Sequence, residues 1–137
     1  MVSVRNIGCG WCWIYRVAYV KYLYGKGLKP IVLDNLSLGH KESVKWGPLY
    51  VGELDDPKIL SDIFSRHDIK AVMHFAGFCY VGESLVEPLK YYQNNIAATL
   101  GLLSSILDHG IDKIIFSSSC ATYGEPESLS ISEGQSQ

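Results

Sequence analysis

The sequence has no apolar run long enough to cross a bilayer, no block of like charge, no internal repeat and no low-complexity tract. A spanning helix needs roughly 18 consecutive apolar residues, so no membrane partner is expected. Positive charge is scarce. Twelve Lys and Arg stand against 14 Asp and Glu, a net charge of -2. Phosphate backbones are gripped by basic faces, so nucleic acid is not an expected partner either. Arg16 and Lys21 interrupt the apolar stretch after Arg5, and no cleavage site follows, so no secretory signal is read. Cysteine is sparse as well. Cys9, Cys12, Cys79 and Cys120 are too few and too scattered for a disulfide framework, and a reducing cytoplasm is the expectation. What is present is an ordinary globular composition, 47% hydrophobic and 19% charged in 137 residues. That is enough for one domain with a real core.

From Lys29 onward short apolar runs alternate with helical patterns. Pro30–Asp34 reads as a buried strand ending in a carboxylate, and Asn35–His40 as a polar turn. Leu49–Gly52 is a shorter strand. Asp56–Pro57 opens a helix, with Asp as N-cap and Pro at the first position. Ile59, Leu60, Ile63 and Phe64 share one face of it. Ala71–Phe75 is the next strand. A helix from about Pro88 to His109 carries Tyr92, Ile96, Leu100, Leu103 and Leu107 along one side, and Gly110 stops it. Lys113–Ser117 is the last strand. Strands alternating with helices predict an α/β fold with a parallel sheet. Continuously apolar strands and right-handed crossovers predict that it is doubly wound.

Ligands of such sheets bind beyond the carboxyl ends of the strands. The candidates there are Asp34–Asn35, Glu53–Leu54, Phe75–Ala76–Gly77, Asn95 and Ser117–Ser118–Ser119. A carboxylate closing the second strand can accept from both hydroxyls of an adenine ribose, and it can also cap the following turn. Ser119 can hydrogen-bond a reacting group, or it is a plain strand end. His74, inside an apolar strand, reads as a core histidine. His40, His67 and His109 suggest no metal site. Cys9-x-x-Cys12 has redox or metal spacing, but one such pair alone is weak evidence.

Several of these segments together carry a resemblance. They are Leu33–Ser37, His74–Gly77, Val81-Gly82-Glu83-Ser84, Pro88–Tyr92 with Asn94–Asn95, Gly101–Leu103, and Phe116–Ser119 followed by Tyr123–Gly124. Over about residues 20–133 the chain resembles the UDP-glucose 4-epimerases, extended short-chain dehydrogenase/reductases with a Rossmann-like NAD-binding domain. The resemblance implies that residues 1–137 form a partial NAD-binding domain, truncated after about five strands, with a UDP-sugar-binding domain absent. It implies NAD as cofactor, a UDP-sugar as substrate, and a homodimer built on the helix that holds Tyr92 to Leu107. It places Asp34 and Asn35 at the adenosine ribose and Glu53 and Leu54 at the adenine, where Asp is more usual than Glu. Phe75, Ala76 and Gly77 would pass along the pyrophosphate and nicotinamide, with Asn95 and Ser117 as further cofactor-side contacts. Ser119 would be the catalytic serine at the sugar 4-hydroxyl. Many members carry lysine where this chain has Cys79. In the family reaction a tyrosine takes the 4-hydroxyl proton while C4 passes hydride to NAD. The 4-keto sugar then turns over and takes the hydride back on its other face. A nearby lysine lowers the tyrosine pKa.

Two departures accompany the resemblance. The family's Tyr-x-x-x-Lys pair follows the segment corresponding to Ile131–Glu133 and is not among the 137 residues. The chain alone is therefore expected not to epimerise UDP-galactose; a truncated NAD-binding module, a pseudogene product or a related nucleotide-sugar epimerase/dehydratase are the other readings. The second departure is the phosphate loop, Thr-Gly-Gly-Ala-Gly-Tyr-Ile-Gly in the family. Here Gly8 and Gly10 remain, with Gly10 a cofactor-side candidate, but Trp13 and Arg16 fill aligned glycine positions. Reading each codon from Gly10 to Tyr19 one base later permits Gly-Gly-Ala-Gly-Tyr-Ile-Gly-Ser-His-Thr, with glycine forced at positions 11 and 13. A base gained upstream and lost near Val20 accounts for the departure. A divergent loop is the alternative. The bare edge that five strands leave is expected to promote aggregation.

Overall fold

The computed structural model describes residues 2–4, 10–37, 39–125, 130–132 and 134. The elements are β1 (Val2–Val4), α1 (Gly10–Gly25), β2 (Ile31–Asp34), β3 (Leu49–Val51), α2 (Pro57–Arg66) and β4 (Val72–His74). They continue with α3 (Val81–Val86), α4 (Pro88–Tyr91), a π-helical turn (Tyr92–Ala97), α5 (Ala98–Asp108) and β5 (Ile114–Phe116). The strands form one parallel sheet in the order β3-β2-β1-β4-β5. Right-handed crossovers run from β1 outward to β2, and from β3 back past β1 to β4. Travelling in opposite directions, they place α1 and α2 on opposite faces. The α/β doubly wound fold expected from the alternating pattern is the one observed, and it corresponds to the N-terminal part of that architecture. The central strand, Val2–Val4, precedes everything the sequence pattern had marked.

Local chemistry explains the boundaries. Asp56 caps α2, its Oδ1 accepting from the amides of Lys58 at 2.9 Å and Ile59 at 3.4 Å, with Pro57 next in line. At the end of α5, Gly110 sits at φ +67°. Its amide donates to the Leu107 carbonyl and that of Ile111 to Ile106, each at 3.0 Å, a Schellman closure that favours glycine. Ile111 is buried and drives that turn back toward the core.

Ile31, Leu33, Leu60, Ile63, Phe64, Val72, Leu102 and Ile106 form one apolar cluster between the sheet and the α2–α5 pair. The expected face of α2 is the one used. In the long C-terminal helix the expected stripe lies along one side, but another side packs inward. Ala98, Leu102 and Ile106 face the core, while Tyr92, Ile96, Leu100 and Leu107 are exposed. That segment is apolar on two faces, and the face with the larger side chains is not the one that meets the sheet. β5 pairs with β4, and all three of its residues are exposed.

Candidate nucleotide site at the carboxyl edge

All the strands run in one direction, so their carboxyl ends share one edge of the sheet. β2 delivers Asp34 and Asn35 there, the turn after β3 delivers Glu53 and Leu54, and β4 delivers Phe75, Ala76 and Gly77. β5 delivers Ser117 to Ser119. Gly10 opens α1 at the same edge. Gly8, Cys9 and Glu133 lie outside the described residues, as does the side chain of Cys12.

Asn35 and Glu53 meet. The Asn35 amide nitrogen donates to both Glu53 oxygens, at 3.0 and 2.8 Å, and its Oδ1 accepts from the Ser37 amide at 2.9 Å. Leu54 packs against the apolar core. The Asp34 carboxylate is buried and holds two partners. Oδ1 accepts from the Leu36 amide at 2.6 Å, and Oδ2 is ion-paired with Arg16. Arg16 lies on α1 one turn before Val20 and two before Leu23, and all three are buried. It therefore occupies the inward face of the helix, where burial of a charge is tolerated only against an opposite one. Leu36 at φ +58° and Ser118 at φ +35° are the two non-glycine residues with positive φ among the described residues. Each follows a strand end at this edge, the kind of place where backbone strain concentrates.

After β4 the chain is held by side chains rather than by the sheet. Asn95 accepts from the Phe78 amide at 2.7 Å and donates to the Phe78 carbonyl at 2.9 Å. It braces this loop from the π-helical turn. The ring of Phe75 packs against Tyr19 of α1, with centroids 5.8 Å apart. Burial pulls the His74 imidazole down to about 4, so it is neutral. Its Nδ1 accepts from the Ala76 amide at 3.1 Å, and its Nε2 lies 2.8 Å from Thr99 Oγ1. Thr99 in turn donates to the Asn95 carbonyl at 2.7 Å. Thr99 was not singled out in the sequence. Its one signal is a polar, β-branched residue in the first turn of a helix, four positions after Asn95.

A second cluster joins two of the segments that carry the resemblance. Glu83 of α3 accepts from Lys90 Nζ at 2.6 Å and from the Tyr91 hydroxyl at 2.7 Å. Those hydrogen bonds, Lys90 first, hold the Glu83 carboxyl below its usual range. Burial, then the Glu83 bond, pushes Tyr91 up to about 12. Tyr91 also donates to the Tyr80 carbonyl at 2.8 Å and thereby closes the loop that Asn95 braces.

On the β5 side, the Ser117 amide donates to the His74 carbonyl at 3.0 Å, and the Ser119 carbonyl accepts from the Thr122 amide at 3.2 Å. Ser117 and Ser119 are exposed. The expectation that no tyrosine has a lysine four residues later is corrected: Tyr22 and Lys26 have that spacing. Lys26 Nζ stands 5.4 Å from the Tyr22 ring centroid. The pair ends α1, which leads into the amino end of β2, so it lies at the opposite edge of the sheet from Ser119. Among the described residues no cluster of His, Cys, Asp and Glu could hold a metal, and no helix is long and apolar enough to cross a membrane.

The geometry tests poorly for a dinucleotide as it stands. A ribose diol needs the Asp34 carboxylate oxygens as acceptors, and both already have partners within the protein.

The comparisons agree with the fold. The model of the NAD dependent epimerase/dehydratase family matches residues 17–136, starting one residue past Arg16. The UDP-glucose 4-epimerase of Rhizobium meliloti is 48% identical over 115 residues, covering 84% of this chain and 35% of that protein. A probable UDP-arabinose 4-epimerase of rice is 43% identical, covering 77% of this chain and 28% of its own. The crystal structure of UDP-glucose 4-epimerase from Brucella ovis in complex with NAD superposes with a TM-score of 0.82 at 40% identity, over 99% of this chain and 40% of that one. The chain thus spans about a third of the curated relatives' length. The carboxylate-ended second strand, the serines that follow the fifth strand and this match agree: the chain belongs to the NAD dependent epimerase/dehydratase family.

Proposed function

We propose that this chain is the nucleotide-side part of a UDP-glucose 4-epimerase, an enzyme that interconverts UDP-galactose and UDP-glucose. The carrying observation is that Asp34, Asn35, Glu53 and Ser119 all stand at one edge of a β3-β2-β1-β4-β5 sheet. In this reading NAD is the cofactor, and it supplies the transient oxidation at sugar C4. Asp34 and Asn35 would serve the ribose once Arg16 is displaced from Asp34, with Glu53 and Leu54 at the adenine. Gly10 and Phe75 to Gly77 line the pyrophosphate side, and Asn95 and Ser117 support them. Ser119 hydrogen-bonds the sugar 4-hydroxyl. The UDP-sugar-binding domain and the proton-transferring Tyr-x-x-x-Lys pair are not supplied by residues 1–137, so this chain alone does not epimerise. The exposed stripe Tyr92, Ile96, Leu100 and Leu107 is an apolar surface suited to a second copy, and supports a homodimer. A cytoplasmic setting suits the exposed Cys79 thiol.

The rice relative keeps a second reading in view, in which another nucleotide sugar is the substrate. The test is a chimera in which residues 17–137 replace their counterpart in the Rhizobium meliloti enzyme. Turnover of UDP-galactose, reduced about 10²-fold by Ser119→Ala, is expected. A folded but inactive chimera overturns the reading. Turnover of UDP-arabinose alone transfers it to the second substrate. The 137-residue chain by itself is expected to show no turnover.

A further inference from the structure

We propose that Arg16 is an internal plug: its guanidinium takes the place of a ribose diol on Asp34 and closes the nucleotide site of this chain. The inference rests on the ribose role of Asp34 proposed above. Three observations carry it. Arg16 is 3% exposed and Asp34 1%, so the pair is sealed from solvent. The Asp34 carboxylate spends one oxygen on Arg16 and the other on the Leu36 amide. Gly39 closes over the top. A Cβ built there would stand 3.0 Å from Asp34 Oδ2 and 3.4 Å from Arg16 Nη2, so the returning loop packs on both partners at once.

The chemistry explains why the plug holds. A carboxylate buried at a strand end needs charge-assisted donors. A vicinal diol offers two neutral hydroxyls. A guanidinium offers planar N–H donors and a full positive charge, and it is tethered to α1, so no entropy of association opposes it. An incoming ribose must displace the stronger partner and leave a buried cation behind. Phosphate recognition by Arg16 is a different matter, because a guanidinium beside the ribose can accept a 2′-phosphate. Here the same group is buried and neutralised by Asp34, which argues for a stopper rather than a receptor.

The experiment titrates the full chain with NAD and, separately, NADP by calorimetry, to about 1 mM. The unaltered chain is expected to show no saturable binding of either. Arg16→Gly is expected to bind NAD at least about tenfold tighter than the unaltered chain, and Arg16→Gly with Asp34→Ala to lose that gain. Equal NAD affinity with and without Arg16 overturns the plug. Tighter binding of NADP than NAD by the unaltered chain overturns it in favour of a phosphate receptor. A gain in Arg16→Gly that survives Asp34→Ala overturns the ribose assignment instead. Circular dichroism melts confirm that each variant folds. Should Arg16→Gly fail to fold, amide exchange at Leu36 in the unaltered chain decides. No change on adding NAD is expected, and protection by NAD overturns the proposal.

Discussion

His74 Nε2 and Thr99 Oγ1 lie 2.8 Å apart, and this contact joins the central sheet to the helix that follows the π-helical turn. Because the Ala76 amide donates to Nδ1, the ring proton must be on Nε2, and Thr99 accepts it. The threonine passes its own proton to the Asn95 carbonyl at 2.7 Å. Replacing Thr99 with valine keeps the shape but removes the hydroxyl partner of the buried His74 ring and a donor to the half-buried Asn95 carbonyl. The loss in unfolding free energy is expected to be about 1–3 kcal/mol, read from urea denaturation. Thr99→Ser is expected to recover most of it.

The same histidine sets a pH dependence. Unfolded, it takes up a proton near its ordinary value of 6.5; folded, burial holds it down to about 4. Its contribution is thus complete above pH 6.5 and is lost as the pH falls toward 4, because only the unfolded chain gains the proton. The loss is on the order of 3 kcal/mol across that window. Melts at pH 7 and pH 4.5 are expected to differ by much less in His74→Gln than in the unaltered chain.

Asp56 stabilises the start of α2 through two amides. Asp56→Ala is expected to lower stability by about 1 kcal/mol and Asp56→Asn to be nearly neutral, measured by thermal unfolding.

The stripe on α5 yields a prediction about association. Leu100 is 60% exposed, so Leu100→Glu is expected to leave the melting temperature unchanged while shifting the sedimentation profile toward monomer.

Most of the layout was legible from local pattern. Four of the five strands, the Asp56 cap and the Gly110 stop depend on short-range chemistry that the sequence displays directly. β1 was not legible, because Val2–Val4 is only three residues long and is fixed by pairing with β2 and β4, distant in sequence. The inward face of α5 was not legible, because Leu100 and the preceding Tyr92 and Ile96, all exposed, are larger than the buried Ala98. At the site, the positions of Asp34 and Ser119 follow from strand ends alone. Arg16 was legible as an obstacle to a glycine-rich loop, but not as the ion-pair partner of Asp34. Nothing local pairs residues 18 apart. The shifted reading of codons 10–19 would restore glycine at position 16, the same change as the proposed Arg16→Gly variant. The Tyr22–Lys26 spacing shows the converse: a motif can be present in sequence and lie at the wrong edge of the sheet.

The brace on Phe78 has a mechanical consequence. A side chain that accepts from a residue's amide and donates to its carbonyl does for one peptide what a neighbouring strand does for a row of them. With Tyr91 fastened to Tyr80 and His74 to Ala76, the segment after β4 behaves as a rigid block with α4 and the π-helical turn. Motion that widens this edge of the molecule must then pivot elsewhere. The connection that leaves β2 is tied at its entry as well, where the left-handed Leu36 donates its amide to Asp34.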